Sequence, residues 1–454
     1  MAGLERPGKI LIRVLLIAIM ILPCCPLLNH AVAETPAGYD LLIIGPESYR
    51  SILQRLLEFK AAQGVKTMFF TIEQISMNAT GPRAAEKLHE FVAGEYEKYG
   101  VKYLLLVGTY EQVPTKYVYS PSDEHGLADF NYKPSDWYYG VPDWNDSEVG
   151  LLGGNIPRIA VGRLPVRNGE ELDRLIRKII RVETGFQPGL LLILNDPRVD
   201  AEPLAEALGA HHPACVDATV KNLDPSLFNN VTYLVTVTHG SPDALFTRTP
   251  DGELKPLITS REASRVTWNY AIHYMAACFS GALDLDGESL ARVLVTSEEG
   301  PALVIASTRT ESSGNPILTV FWERFFATGD VGSSFIEAVE TYLLDERVFS
   351  TSKHLFNAYN LYLTKEIYGD VSWRIRDPGS SIRGESATRN PDTPVGNSVK
   401  EPLNTGPAEK TAPPLGSTII LMLAPAFSTC MLAAGLRLFA RRRQPRLSSR
   451  AGRQ

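Results

Sequence analysis

The sequence predicts an α/β fold with mostly parallel sheets, and two observations lead to this prediction. Short apolar runs alternate with amphipathic segments between residues 39 and 376. The run at 102–108 is apolar without a break, which is typical of a strand covered on both faces by helices. The alternation restarts near residue 187, so we expect two consecutive α/β subdomains, 39–186 and 187–376.

The first subdomain is predicted to contain four strands and two main helices. A helix is expected over YRSILQRLLEFKAAQG because its apolar residues recur on one face and Gly64 can end it. A second amphipathic helix is predicted over EELDRLIRKIIRVE. The predicted strands are DLLIIG, KTMFF, KYLLLVG and RIAVGRL.

The second subdomain repeats the pattern. Helices are expected over ESLARVLVTS and GSSFIEAVETYLL. The predicted strands are LLLILND, YLVTVTHG, AIHYMAAC and PALVIAST. Strands alternating with helices in this way indicate a parallel sheet in each subdomain.

Both ends of the chain have the composition of targeting segments. Residues 1–33 combine a basic start, the apolar run VLLIAIMILPCCPLL and small residues at Ala31–Ala33, which predicts a cleaved signal peptide. An uncleaved anchor is the alternative, although the run is short for a membrane span. Residues 377–416 are rich in Pro, Gly, Ser and Thr and are predicted to be a flexible stalk.

A membrane anchor is predicted after the stalk. Residues 417–436 are apolar and uncharged over about the length that crosses a bilayer. Residues 437–454 are basic, which favours the cytoplasmic side. We therefore expect a single-pass membrane protein whose body lies outside the cytoplasm. The net charge of −6 gives no indication of a nucleic-acid partner.

A long acidic loop, 121–157, mixes carboxylates with aromatic residues. Clustered oxygen ligands would suit a structural Ca²⁺ ion, and a solvated acidic loop is the alternative. No other metal site and no required cofactor are predicted.

Two predicted strand ends carry reactive side chains. One strand ends at His239-Gly240 and another at Cys278. In parallel sheets, functional groups gather at the carboxyl ends of the strands. Of the five cysteines, only Cys215 and Cys278 belong to the predicted exported body. A disulfide between these two is the alternative to a reactive Cys278.

This pair of residue types fits nucleophilic catalysis. A cysteine attacks as the thiolate, and a neighbouring imidazole accepts its proton. The backbone N–H groups of Gly240 and Cys278 would form an oxyanion hole for a tetrahedral intermediate. The small residues Ala276 and Ala277 leave room beneath the sulfur.

The sequence resembles the gingipain-type cysteine peptidases, which are relatives of caspases and legumains. The resemblance rests on THGS and AAC in that order, on YLLLVGTYEQVPTKYV, SDWYYG and AVGRLPVRNGEELDRLIRKIIRVE, and on PALVIASTR and YGDVSW. It covers roughly residues 39 to 376. It implies a caspase-like α/β/α sandwich with Cys278 as nucleophile and His239 as general base.

The resemblance also implies further site residues. Asp196, at the end of LLILNDPR, is the candidate that orients His239, and a plain turn residue is the alternative. Ser307, Thr308 and Arg309 fall at the expected edge of the substrate pocket. Arg309 would favour an acidic substrate side chain by a bidentate pair, and a solvent-facing arginine is the alternative.

The function expected is a membrane-anchored, extracytoplasmic cysteine endopeptidase that acts on protein or peptide substrates through a Cys278 thioester. A transpeptidase or sorting enzyme of the same fold is one alternative. A catalytically inactive surface receptor is the other, although such a receptor has no use for an intact His-Gly and Ala-Cys pair.

Overall fold

The structure is a computed structural model, and it describes the part of the chain given by these ranges: 38–119, 132–146, 154–199, 201–211, 213–218, 228, 230–249, 251–268, 270–311, 316–344 and 362–375. The predicted signal peptide, stalk, transmembrane helix and basic tail lie outside these residues. None of the helices within the described ranges has the length and apolar character needed to span a membrane.

Ten strands form one large sheet. In chain order they are β1 (Leu41–Gly45), β2 (Thr67–Thr71), β3 (Tyr103–Val107), β6 (Ala160–Leu164), β7 (Leu190–Asn195), β8 (Ala214–Asp217), β9 (Val231–Val237), β13 (Ile272–Ala276), β14 (Leu303–Ser307) and β15 (Lys365–Gly369). Their order across the sheet is β2-β1-β3-β6-β15-β14-β13-β9-β7-β8.

Two small sheets flank the carboxyl edge of the large one. A hairpin pairs β4 (Lys116–Tyr119) with β5 (Tyr132–Ser135). A three-stranded antiparallel sheet follows β9 directly and consists of β10 (His239–Ser241), β11 (Ala244–Arg248) and β12 (Leu254–Thr259). The sequence patterns predicted neither the first hairpin nor the second small sheet.

The described helices are α1 (Arg50–Ala62), α2 (Ile72–Asn78), α3 (Ala84–Tyr99), α4 (Gly169–Thr184), α5 (Glu202–Ala207), α6 (Ser260–Ala263), α7 (Leu290–Thr296), α8 (Pro316–Thr328) and α9 (Val331–Leu344). Short 3₁₀ turns lie at Glu47–Tyr49, Asp136–Gly140 and Gly209–His211. The predicted helices correspond to α1, α4, α7 and α9, whereas α3 and α8 were not predicted.

The apolar patterns explain how these elements pack. The strands β1, β3, β6, β13, β14 and β15 are buried at every position, so both faces of the sheet are covered. Five positions of α4 were expected to face inward. Four of them, Leu172, Leu175, Ile176 and Ile179, are buried, and Ile180 is half-buried. The positive φ of Gly64 (80°) lies just beyond α1, where the sequence predicted a stop.

The predicted α/β fold with mostly parallel strands is confirmed, whereas the expectation of a separate sheet in each subdomain is wrong, because strands of both halves form one ten-stranded sheet. The connecting strand is β15, which lies between β6 and β14. It runs antiparallel to β14 and meets β6 through the pair Tyr368 and Arg163. The last strand of the body therefore joins the two halves.

Candidate active site

The register of two neighbouring strands brings His239 and Cys278 to the same edge of the sheet. Strands β9 and β13 are parallel, and Val237 pairs with Ala276 at their carboxyl ends. His239 lies two positions beyond Val237, and Cys278 lies two positions beyond Ala276. The N–H of Thr238 still donates to the carbonyl of Ala276, at 3.2 Å. The two side chains therefore begin from equivalent positions on adjacent strands.

Gly240 allows the backbone after His239 to pass close to Cys278. A Cβ atom at position 240 would overlap the carbonyl oxygen of Cys278 and would lie 3.1 Å from the Cβ of Ala277. Only a residue without a side chain fits this approach. The His-Gly pair is thus explained by contact with the Cys278 backbone as well as by a turn.

The Cys278 sulfur is held in a turn with unusual backbone geometry. Cys278 is 9% exposed, and neither Cys278 nor Cys215 forms a disulfide, so the alternative pairing is not present. The next residue, Phe279, has a φ of 59°, a backbone angle that residues other than glycine rarely adopt. Its N–H donates to the carbonyl of Arg309 at 3.0 Å. This bond fixes the strained residue beside the sulfur.

Arg248 and Asp196 both lie near the Nε2 atom of His239. The Nε of Arg248 donates to Nε2 of His239 at 3.2 Å, while Oδ2 of Asp196 lies 3.8 Å from the same nitrogen. Burial and the Arg248 guanidinium lower the pKa of His239, and the Asp196 carboxylate acts in the opposite direction. The neutral imidazole, which is the form that accepts a proton, is therefore favoured.

Asp196 is held by the turn at the end of β7. It lies directly after β7, is fully buried, and accepts hydrogen bonds from the backbone N–H groups of Arg198 (2.9 Å) and Arg248 (3.0 Å). It therefore orders the turn at the strand end. Its distance from His239 is longer than a hydrogen bond, so its contact with the imidazole in this structure is electrostatic.

The three predicted pocket residues are buried and use their side chains within the protein. Ser307 donates to the Glu311 carboxylate (2.6 Å), and Thr308 donates to the carbonyl of Pro134 (3.2 Å). Arg309 binds both carboxylate oxygens of Asp284, at 3.0 and 2.6 Å. The bidentate fork that was expected to select an acidic substrate side chain is thus occupied by a carboxylate of the chain itself.

The acidic loop lies only partly within the described residues, and one of its carboxylates has a structural partner. Asp136 accepts two hydrogen bonds from the guanidinium of Arg163, at 2.6 and 2.8 Å, in the buried core. Among the residues that the structure describes, no group of three or more His, Cys, Asp or Glu side chains is arranged to hold a metal ion. Asp123, Glu124 and Asp129 lie outside those residues.

Three residues near the dyad were not found from the sequence: Arg248, Glu311 and Lys365. Arg248 lies at the end of a short strand that no pattern predicted. Lys365 and Glu366 stand next to each other in a strand that is buried at every position. The one available signal for Lys365 was its position beside Glu366, directly before the apolar segment IYG. Charged residues in a buried strand require partners, so they point to an ion pair.

A histidine and a cysteine at the ends of adjacent parallel strands, on an α/β sheet covered on both faces, form the arrangement expected of a cysteine peptidase. Residues 34–364 match the family model described as peptidase family C25. The chain belongs to peptidase family C25, the gingipain family. The resemblance predicted from the sequence is confirmed.

Solved structures of the same fold agree with this assignment. The complex of the pro- and mature domains of Porphyromonas gingivalis RgpB has a TM-score of 0.57 and 18% identity, covering 74% of this chain and 80% of that chain. The Arg-specific cysteine proteinase gingipain R also has a TM-score of 0.57 and 18% identity, with coverages of 75% and 79%. No curated protein sequence matches this chain.

Proposed function

We propose that the protein is a membrane-anchored, extracytoplasmic cysteine endopeptidase with Cys278 as nucleophile and His239 as general base. The observation that carries this proposal is the β9–β13 register, which places the two residues at equivalent positions on adjacent strand ends. The close packing of Gly240 on the Cys278 carbonyl supports it, because this contact requires a glycine at that position.

The reaction follows from the chemistry of the two side chains. The Cys278 sulfur, after losing its proton to His239, attacks the carbonyl carbon of a peptide bond. The imidazolium then returns the proton to the leaving amine, and a thioester on Cys278 remains. Water, deprotonated by the neutral His239, hydrolyses this thioester and releases the acid product. No cofactor takes part in these steps.

The backbone N–H groups of Gly240 and Cys278 are proposed as the oxyanion hole. Gly240 supports this role because it has no side chain between its peptide group and the Cys278 backbone. Such donors stabilise the negative charge that develops on the carbonyl oxygen during attack. Asp196 is proposed to steady the charge on the imidazolium from 3.8 Å.

The decisive test is labelling with a peptidyl acyloxymethyl ketone under reducing conditions. Such a probe alkylates an activated cysteine that lies next to an occupied substrate pocket. We expect labelling of the wild-type protein and none of Cys278→Ala, while Cys215→Ala is labelled like the wild type. Absence of wild-type labelling, with the folded state verified by circular dichroism, would contradict the proposal.

A peptide-library digest tests the substrate preference. Arg309 can favour an acidic side chain before the scissile bond only if its guanidinium exchanges Asp284 for the substrate carboxylate, and this preference stays a prediction. Cleavage after lysine or arginine would remove it. The same digest, analysed by mass spectrometry for cuts within long peptides, distinguishes an endopeptidase from an enzyme that trims chain ends.

A further inference from the structure

A buried ion pair between Lys365 and Glu311 lies next to the Cys278 sulfur. Nζ of Lys365 donates to Oε2 of Glu311 at 2.5 Å, and the two side chains are 0% and 2% exposed. The backbone of the same Glu311 contacts Sγ of Cys278 twice: its N–H donates to the sulfur at 3.4 Å, and its carbonyl oxygen accepts from the thiol at 3.6 Å. Glu311 therefore contacts a buried cation with its side chain and the Cys278 sulfur with its backbone.

Three strands converge on this pair. Ser307, at the end of β14, donates to the same Oε2 atom of Glu311 at 2.6 Å. Lys365 is the β-sheet partner of Ser307 and also donates to the carbonyl of Met275, on β13, at 3.1 Å. The carboxylate is thereby anchored from β14 and β15, and the cation from β13.

Stability alone does not account for such a pair. Transferring two charges into the interior has a desolvation penalty that often exceeds their attraction, and well-packed apolar residues are frequently as stable. Burial lowers the pKa of Lys365 below its ordinary value, and the Glu311 carboxylate and the nearby Cys278 oppose this shift without cancelling it. The ammonium therefore interacts electrostatically with the nucleophile as well as with its carboxylate partner.

We propose that Glu311 and Lys365 are positioning residues of the catalytic centre, which hold the Glu311 N–H against the Cys278 sulfur and so favour the thiolate. A hydrogen bond donated to a charged atom stabilises its charged form. The pair acts through the Glu311 backbone and touches no substrate. This inference rests on the proposed function only in taking Cys278 as the nucleophile.

The charged groups around the sulfur fall into two sets. Glu311 and Lys365 approach from the ends of β14 and β15. His239 approaches from β10, with Arg248 and Asp196 acting through the imidazole. Any change in the ionisation of Cys278 must be separated from changes on the His239 side, so the test leaves His239, Arg248 and Asp196 untouched.

The test measures the rate at which iodoacetamide alkylates Cys278 as a function of pH, in the full chain. Mass spectrometry reads the Cys278 peptide, and Cys215 serves as an internal reference. For Lys365→Met and Glu311→Gln, we expect the pH midpoint of alkylation to rise by about one unit. With a peptide substrate, we expect kcat to fall about tenfold or more and KM to change less than about twofold.

The double variant Glu311→Gln/Lys365→Met separates positioning from simple charge balance. It contains no unpaired buried charge, so a purely structural role predicts that the wild-type midpoint returns. A positioning role predicts that the midpoint stays high. If Lys365→Met does not fold, Glu311→Gln decides alone. Loss of positioning raises its alkylation midpoint, whereas an unpaired Lys365 ammonium that acts only through its charge lowers the midpoint.

Lys60→Met is the matched control. Lys60 is equally buried and is paired with Glu183 and Asp370, both at 2.8 Å. Its loss should lower the unfolding temperature without moving the alkylation midpoint. Wild-type midpoints in both single variants would overturn the inference. If the wild type cleaves no peptide and yet the midpoints shift, the proposed function fails while the inference stands.

Discussion

At the scale of single residues, the candidate site requires small side chains as well as reactive ones. Gly240 lacks the Cβ that would overlap the Cys278 carbonyl, and Ala277 presents only a methyl group to the same contact. Around His239, burial lowers the pKa of the imidazole, Arg248 lowers it further, and Asp196 acts in the opposite direction. Both features lead to testable expectations.

Gly240→Ala is expected to abolish labelling of Cys278 and to lower stability. The new methyl group must displace either the Cys278 backbone or the His239 backbone, because protein interiors have little free space. Thermal unfolding and probe labelling measure the two effects.

Gly94→Ala is the matched control for this substitution. Gly94 lies inside α3, and a Cβ there would have no atom within 4 Å. Alanine should stabilise the helix by about 0.5–1 kcal/mol and leave labelling unchanged. Normal labelling in Gly240→Ala would show that the close approach is not needed.

Arg248→Met and Asp196→Asn are expected to move the pKa of His239 in opposite directions. Arg248 disfavours the imidazolium, so its removal raises the pKa of His239, and the neutral base is lost at a higher pH. Asp196 favours the imidazolium, so its neutralisation lowers that pKa. NMR titration of His239 in the Cys278→Ala background measures both shifts, and shifts of the same sign would contradict this electrostatic account.

At the scale of secondary structure, β15 combines two buried charged residues with different roles. Lys365 lies beside the Cys278 centre, and Glu366 accepts the N–H of Asp136 at 2.9 Å in the core. Burial and the nearby Asp136 raise the pKa of Glu366 well above its ordinary range. Its carboxyl group is therefore favoured in the neutral form, whereas Asp136 is paired with Arg163.

The free energy of unfolding of Glu366→Gln is expected to increase relative to that of the wild type as the pH rises. The native wild type holds a proton that the unfolded chain releases, so its stability falls as the pH rises above about 4.3, the ordinary carboxyl value. Glutamine has no such proton. Urea unfolding at about pH 5 and about pH 8 measures the difference, and a pH-independent difference would contradict it.

Arg163→Met serves as the contrasting variant. It leaves the Asp136 charge buried without its guanidinium, and breaking a buried pair in this way lowers stability by about 3–5 kcal/mol. The same urea experiment reads this loss.

The sequence was sufficient for elements that carry a periodic apolar pattern, and insufficient for contacts between distant segments. The apolar face of α4 and the unbroken runs of β3 and β14 predicted both their type and their burial. His239 and Cys278 could be singled out because each follows such a run. The roles of Arg248 and Glu311 depend on the β10–β12 sheet and on the turn after β14, whose paths no local pattern determines.

At the scale of the whole molecule, the buried ion pairs of Lys365 and Lys60 lie at opposite ends of β15. Lys365 pairs with Ser307 at the carboxyl end of β14, beside the candidate site. Asp370, the partner of Lys60, follows the other end of β15, where Gly369 pairs with Leu303. The catalytic edge can therefore be altered separately from the opposite edge.

Membrane attachment through residues 417–436 is a prediction that fractionation can test. We expect the full chain to remain in the membrane pellet after an alkaline carbonate wash, because an apolar span of this length is held by the bilayer. A chain ending at residue 416 should appear in the soluble fraction and should still be labelled at Cys278. Recovery of the full chain in the wash would contradict the anchor.

The position of β15 also bears on how the protein is made. The strand is the last of the described body to leave the ribosome, yet it belongs in the middle of the sheet, between β6 and β14. Until β15 is synthesised, β6 and β14 lack the strand that lies between them, and Lys365 does not yet stand near Cys278. The peptidase is thus assembled only after synthesis has passed residue 369, so truncated products carry the His239 and Cys278 pair without a completed centre.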